Sequence, residues 1–208
     1  MAELILYTNP MSRGRIARWM LEEVGRPYRV ELLGHGGSMK SPEFLRINPM
    51  GKVPTLVHGS TVVTETAAIC AYLADTFVEA GLRPKAGTEA SAAYHRWLFF
   101  AAGPVEQASI NGALGVRITA AREAMVGYGT FERTVGVLED AVRGKRYIAG
   151  DSFSAADVYV GSQIGWGMQF GWLPQRQPFA TYWQRLATRP AAIRAAQLDD
   201  ADAATLQS

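Results

Sequence analysis

Residues 3–33, ELILYTNPMSRGRIARWMLEEVGRPYRVELL, contain the change of period that decides the fold. Glu3 to Thr8 is a short β-rich run stopped at Asn9-Pro10, which reads as a buried strand running into a turn. From Ser12 to Val24 the residues Ile16, Ala17, Met20, Leu21 and Val24 return at helical spacing. Arg15, Arg18 and Glu22 face outward, and Gly25 closes the helix. Tyr28 to Leu33 is a second strand, and strand, helix, strand in this order implies a right-handed parallel crossover.

Working outward, Gly34-His35-Gly36-Gly37-Ser38 is flexible, and a short helix is expected around Pro42 to Ile47. Val53 to Val57 and Thr61 to Val63 form a hairpin across His58-Gly59-Ser60. From Glu65 to about Phe77 the apolar positions Ala68, Ile69, Tyr72 and Leu73 mark another helix. The order is β-α-β-α-β-β-α. Gly81 to Gly87 resembles a linker, and beyond it the chain reads as helices only: Glu89–Leu114, Ala120–Arg143, Ser154–Phe170, Phe179–Thr188 and Pro190–Leu198. The stretch from Asp199 to Ala204 is expected to be loosely held. The fold class is therefore α/β plus all-α, with a mixed domain over residues 1–79 and a helical bundle over 88–208.

Composition narrows the function. The chain has 208 residues, 48% hydrophobic and 19% charged, a globular mixture with room for a core or two. Its net charge of +2 gives no reason to expect a nucleic acid or an anionic membrane as partner. The one cysteine, Cys70, rules out an intramolecular disulfide and a Cys-x-x-Cys site, and points to a reducing compartment. No basic leader and no run of about 20 apolar residues is seen, so the expectation is a soluble cytoplasmic protein.

Three features carry chemistry. A cis bond at Val53-Pro54 would turn the Val53 backbone outward to pair with an extended peptide; the plainer meaning is an edge-strand proline. Thr64-Glu65-Thr66 opens a helix directly after a strand. Free N–H groups and a hydroxyl there suit a carboxylate, while the Glu accepts an ammonium, so Glu65 and Thr66 together fit an α-amino-acid head. The plainer meaning is a cap with an acidic first turn. Ser12 stands where the first strand gives way to a helix, either to cap it or to donate to a thiolate held near the helix N-terminus. Gly-x-Ser-x-Gly is absent, and His35, His58 and His95 suggest no hydrolase.

LYTNPMSRGRIARWMLEEVGRPYR, NPMGKVPTL and TETAAICAYLAD, in this order and spacing, resemble the thioredoxin-like domain of cytosolic glutathione transferases, and the helical half resembles their C-terminal domain. Phe153-Ser154-Ala155-Ala156-Asp157-Val158 is similar to that family's capping box and hydrophobic staple, with Phe153 packing on Val158.

The resemblance implies a bacterial, serine-type, theta-like member with no subclass assigned. Ser12 would activate the thiol, with Met11 or Arg13 taking that place if the alignment shifts by one residue. Val53, ahead of Pro54, would pair with the cysteinyl part of glutathione. Glu65 and Thr66 would hold its γ-glutamyl head, and Lys52 and Lys40 its glycyl side, His35 and Met39 lying in the same loop as Lys40. Tyr7 is expected to point into the sheet packing, and Cys70 to be core. A pocket for a small hydrophobic electrophile would be lined by Met11, Trp97, Phe100, Pro104, Trp166 and Phe170, between the two domains. The implied function is a glutathione transferase in detoxification, a homodimer with glutathione as co-substrate and no metal. The alternatives are a glutathione-dependent peroxidase, isomerase or dehalogenase, or a non-catalytic binding or assembly protein on the same fold.

Overall fold

The computed structural model describes residues 2–207. The chain divides into two compact units, one reaching Leu82 and joined by the segment from Ala187, the other spanning Arg83–Leu186. The first unit runs β1 (Leu4–Thr8), α1 (Gly14–Val24), β2 (Arg29–Leu32), α2 (Pro42–Ile47), β3 (Thr55–His58), β4 (Thr61–Val63) and α3 (Thr66–Thr76), the order read from the sequence. The sheet is ordered β2-β1-β3-β4, with β1 parallel to β2 and the other pairs antiparallel.

Alternation along β1 buries Leu4, Leu6 and Thr8 and leaves Ile5 and Tyr7 half-buried. On that second face the Tyr7 ring meets Phe44 of α2 at 5.5 Å, so Tyr7 is a packing residue. Helix α1 buries Ile16, Ala17, Met20, Leu21 and Val24, and it ends where Gly25, at φ 69°, donates its N–H to the Leu21 carbonyl. Fully buried side chains such as Leu6, Met20, Leu56, Ile69 and Leu73 each contribute about 1.5–3 kcal/mol. Ser41 caps α2, its Oγ accepting from the Phe44 N–H, with Pro42 at the first helical position.

The last helix departs from expectation. α9 runs Pro190–Gln207 and packs on α1, so the segment Asp199–Ala204 is helical rather than loose. Asp199 is buried beside Arg18 at 3.0 Å, and Asp202 pairs with the same guanidinium. Partners about 180 residues away in the chain leave no local trace in the sequence. By packing, α9 therefore goes with the first unit.

The second unit holds α4 (Glu89–Phe100), a π-helical segment (Ala101–Val105), α5 (Glu106–Ala113), α6 (Phe131–Val142), α7 (Ala155–Gln169) and α8 (Gln177–Ala187). The helix expected over Glu89–Leu114 is interrupted where Pro104 cannot donate to the ladder, and a π turn absorbs the misfit. The helix expected over Ala120–Arg143 is broken as well. Only a 3-10 turn forms at Ala120–Met125, Gly129 adopts φ 67°, and α6 starts after Thr130, whose Oγ1 accepts from the Arg133 N–H. The capping box is present. Asp157 accepts from the Ser154 N–H at 2.9 Å, the Ile148 N–H at 2.8 Å and the Tyr182 hydroxyl at 2.6 Å. Burial pushes its carboxyl up, and those donors oppose the shift. The Phe153 ring meets Tyr147 edge-on at 5.8 Å. No helix among the described residues is long and apolar enough to cross a membrane.

Candidate functional site

The ladder register collects the sequence candidates. Thr8 pairs with Leu32, Tyr7 with Thr55, and Leu56 with Val63. The C-terminal ends of β1, β2 and β4 and the N-terminal end of β3 thus share one edge of the sheet, about 15 Å across for four strands. The connections at that edge are Asn9–Arg13, Leu33–Ser41, Asn48–Pro54 and Thr64–Glu65. They carry Ser12, Lys40, Lys52, Val53, Pro54 and Glu65, with Thr66 opening α3.

The turn after β1 is organised by Asn9, which is 4% exposed. Its Nδ2 donates to the Leu33 carbonyl at 2.7 Å, its Oδ1 accepts from the Met11 N–H at 2.8 Å, and its carbonyl accepts from Ser12 Oγ at 2.6 Å. Ser12 Oγ in turn accepts from the Gly14 N–H at 3.0 Å. The half-buried hydroxyl is therefore aimed by two backbone groups at the start of α1. A Cβ on Gly14 would sit 1.8 Å from Thr8 Oγ1, so only glycine lets the helix begin this close to the strand. Met11 projects outward, 70% exposed.

The loop before β3 is organised by Asn48, also 4% exposed. Its Nδ2 donates to the Lys52 carbonyl at 2.8 Å and to Thr55 Oγ1 at 3.0 Å, and its Oδ1 accepts from the Met50 N–H at 3.1 Å. Thr55 Oγ1 donates to the same Lys52 carbonyl at 3.1 Å. Beyond this clamp the Val53-Pro54 bond is cis, and Val53 stands ahead of β3, outside the ladder. Lys40 reaches the loop from the neighbouring connection, its Nζ donating to the carbonyls of Met50 at 3.1 Å and Gly51 at 2.9 Å. Met39 is buried and His35 exposed beside it.

At the start of α3, Glu65 has φ 65° and makes no side-chain cap, leaving its exposed carboxylate available outside the helix. The capping role weighed for it in the sequence does not describe its side chain. Thr66 is buried as the first helical residue.

Within the second unit, Trp97 is 6% exposed and belongs to the core, edge-on to Phe100 at 5.5 Å with Arg96 over its ring. Phe100, Pro104 in the π segment and Trp166 on α7 are half-buried, while Phe170 is exposed. Cys70 is buried and burial pushes its thiol up to about 12, so it offers no thiolate. A cavity of about 630 Å³ lies at the opposite edge of the sheet among Leu4, Tyr28, His58 and Phe77. Its cations are already matched, Arg26 to Glu79 and Arg29 to Glu3 and Glu31. Sequence reasoning passed over Asn9 and Asn48, although Asn-Pro-Met occurs at both loops and signals a side-chain-closed turn.

Residues 11–76 match the family model described as the glutathione S-transferase N-terminal domain. A glutathione S-transferase of Xanthomonas campestris is 35% identical over 95 residues, 46% of each chain, so this match spans under half of that relative's length. Glutathione S-transferase 3 of Zea mays is 29% identical over 92% of each chain. A glutathione transferase homologue from Sulfitobacter, solved with bound glutathione, superposes with a TM-score of 0.76 at 25% identity, covering 95% of this chain and 98% of the other. Shorter matches reach a disulfide-bond oxidoreductase of Escherichia coli, 36% identical over 47% of this chain and 48% of that protein, and a maleylacetoacetate isomerase of Dictyostelium discoideum, 38% identical over 29% and 27%. Domain model, relatives and structural neighbour agree with the thioredoxin-like sheet and the helical half, and over residues 11–76 the chain is similar to the glutathione S-transferase N-terminal domain.

Proposed function

We propose that the chain binds glutathione along the loop edge of its sheet and activates the thiol for attack on a small hydrophobic electrophile. The observation that carries this reading is that Val53, whose backbone lies outside the ladder, the start of α3 and the Ser12 hydroxyl all stand on one edge of the sheet. An extended tripeptide spans about 10 Å, which that edge accommodates. Val53 pairs with the cysteinyl backbone, Glu65 takes the γ-glutamyl ammonium and Thr66 with the α3 N-terminus its carboxylate. Lys52 and Lys40 face the glycyl end.

Ser12 then donates to the sulfur. To do so its hydroxyl leaves the Asn9 carbonyl, which trades a neutral hydrogen bond of about 0.5–1.5 kcal/mol for a charge-assisted one of about 1.5–3 kcal/mol. The net gain of about 1–1.5 kcal/mol lowers the thiol pKa by about one unit. The thiolate forms the carbon–sulfur bond as the leaving group departs with the electron pair. Met11, exposed on the Ser12 turn, is this unit's candidate for contacting the electrophile. The same thiolate serves hydroperoxide reduction, isomerisation or dehalogenation, and the isomerase relative favours keeping that second reading. A cytoplasmic homodimer in detoxification completes the proposal.

The test is calorimetry with glutathione, together with turnover of an aryl halide and of a hydroperoxide. Millimolar or tighter binding with turnover of either substrate is expected. No binding at millimolar glutathione would overturn the assignment, and binding without any turnover would favour the assembly reading.

A further inference from the structure

The contact between α1 and α9 is coded by charge. Along α1 the order is Arg15, Arg18, Glu22, Glu23, and approaching and along α9 it is Arg189, Arg194, Asp199, Asp200, Asp202. The pairs Arg15–Asp200, Arg18 with Asp199 and Asp202, Glu22–Arg194 and Glu23–Arg189 run antiparallel down the whole contact. Each helix carries these charges against its own dipole, with no acid in its first turn and no base in its last. Their placement is explained by the partner helix.

One member reaches further. Arg15 donates from Nε to the Pro10 carbonyl at 2.6 Å and from its terminal nitrogen to Asp200 Oδ1 at 2.7 Å. Pro10 lies in the turn whose Asn9 carbonyl receives the Ser12 hydroxyl. A guanidinium is planar, so fixing one nitrogen on Asp200 fixes the direction of Nε. We propose that Asp200 is a positioning residue for thiol activation: through Arg15 it holds the Pro10 carbonyl, and with it the Ser12 turn, in place. The inference rests on the reading of Ser12 given above. The pair is largely open to solvent, with side chains 28% and 69% exposed, so its role in folding is small and its role in orientation can be isolated.

Asp200→Asn, Asp200→Glu and Ser12→Ala are compared by the pH profile of kcat/KM with glutathione and a chloronitrobenzene, by calorimetry and by thermal melting. Asp200→Asn is expected to lower kcat about three- to tenfold and to move the acid limb up by about half a unit. Glutathione affinity should stay within about twofold and the melting temperature nearly unchanged, because the group touches neither substrate nor core. Asp200→Glu should restore most of the activity. If Ser12→Ala shifts the profile and Asp200→Asn leaves it at the wild-type position, the positioning role is overturned while thiol activation by Ser12 stands. If Ser12→Ala itself leaves the profile in place, the reading beneath falls and takes this inference with it. Loss in Asp200→Asn that follows a fall in melting temperature and is not rescued by Asp200→Glu would also overturn the positioning role.

Discussion

Two loops at one edge of the sheet share the sequence Asn-Pro-Met, at residues 9–11 and 48–50, and bond it differently. In both, a buried Asn Oδ1 accepts the Met N–H two residues on and the Met side chain projects into solvent. The amide nitrogens then diverge. Asn9 ties its turn to the end of β2 and leaves its carbonyl for Ser12, so the first loop presents a side chain. Asn48 ties its loop to itself through Lys52 and Thr55, on either side of Val53 and Pro54. One turn code thus fixes a hydroxyl in one loop and a stretch of backbone in the other, and the distinction lies in what the Asn amide finds to bond.

Variants should separate the two. Asn48→Ala leaves the Lys52 carbonyl with Thr55 alone and opens a buried gap. It should cost about 2–3 kcal/mol in chemical denaturation and weaken glutathione binding tenfold or more, with the thiol pKa of whatever binds little altered. Asn9→Ala should cost about 1–2 kcal/mol and act mainly on kcat, because the Ser12 hydroxyl loses its fixed turn. If both variants lose affinity and turnover in the same proportion, the division of labour between the loops is wrong. Ser12→Ala should cost about 1 kcal/mol of stability, the net worth of the neutral hydrogen bond to the Asn9 carbonyl. Smallest of all, native Cys70 should resist alkylation at pH 8, because its thiol is pushed up to about 12 by burial and is shielded from reagent. Rapid alkylation of the folded protein would contradict the claim that the chain supplies no reactive sulfur.

Local periodicity carried most of the first unit. The 3.6-residue pattern of Ile16, Ala17, Met20, Leu21 and Val24, the Pro42 start of α2 and the Val-Pro hairpin all coincide with observed elements. Structure departs from local periodicity where a breaker or a distant partner overrules it. The span expected as a helix from Glu89 stays helical to Ala113 with a π turn at Pro104, whereas Gly127 and Gly129 with Thr130 break the helix expected over Ala120–Arg143. The acidic stretch Asp199–Ala204 looked loose because its neutralising partners, Arg15 and Arg18, stand on α1. At the site, residue types suggested Ser12, Val53, Glu65 and Thr66, but the two hydrogen bonds that aim Ser12 and the clamp beneath Val53 are tertiary facts.

The central claim is that this edge lowers the pKa of a glutathione thiol through Ser12. Ultraviolet titration of thiolate in the binary complex with glutathione, for the wild-type protein and Ser12→Ala, measures it directly. The account predicts a bound thiol about one unit below its ordinary value of about 8.5, returning toward that value in the variant. A wild-type complex whose thiol titrates as it does free in solution would contradict it.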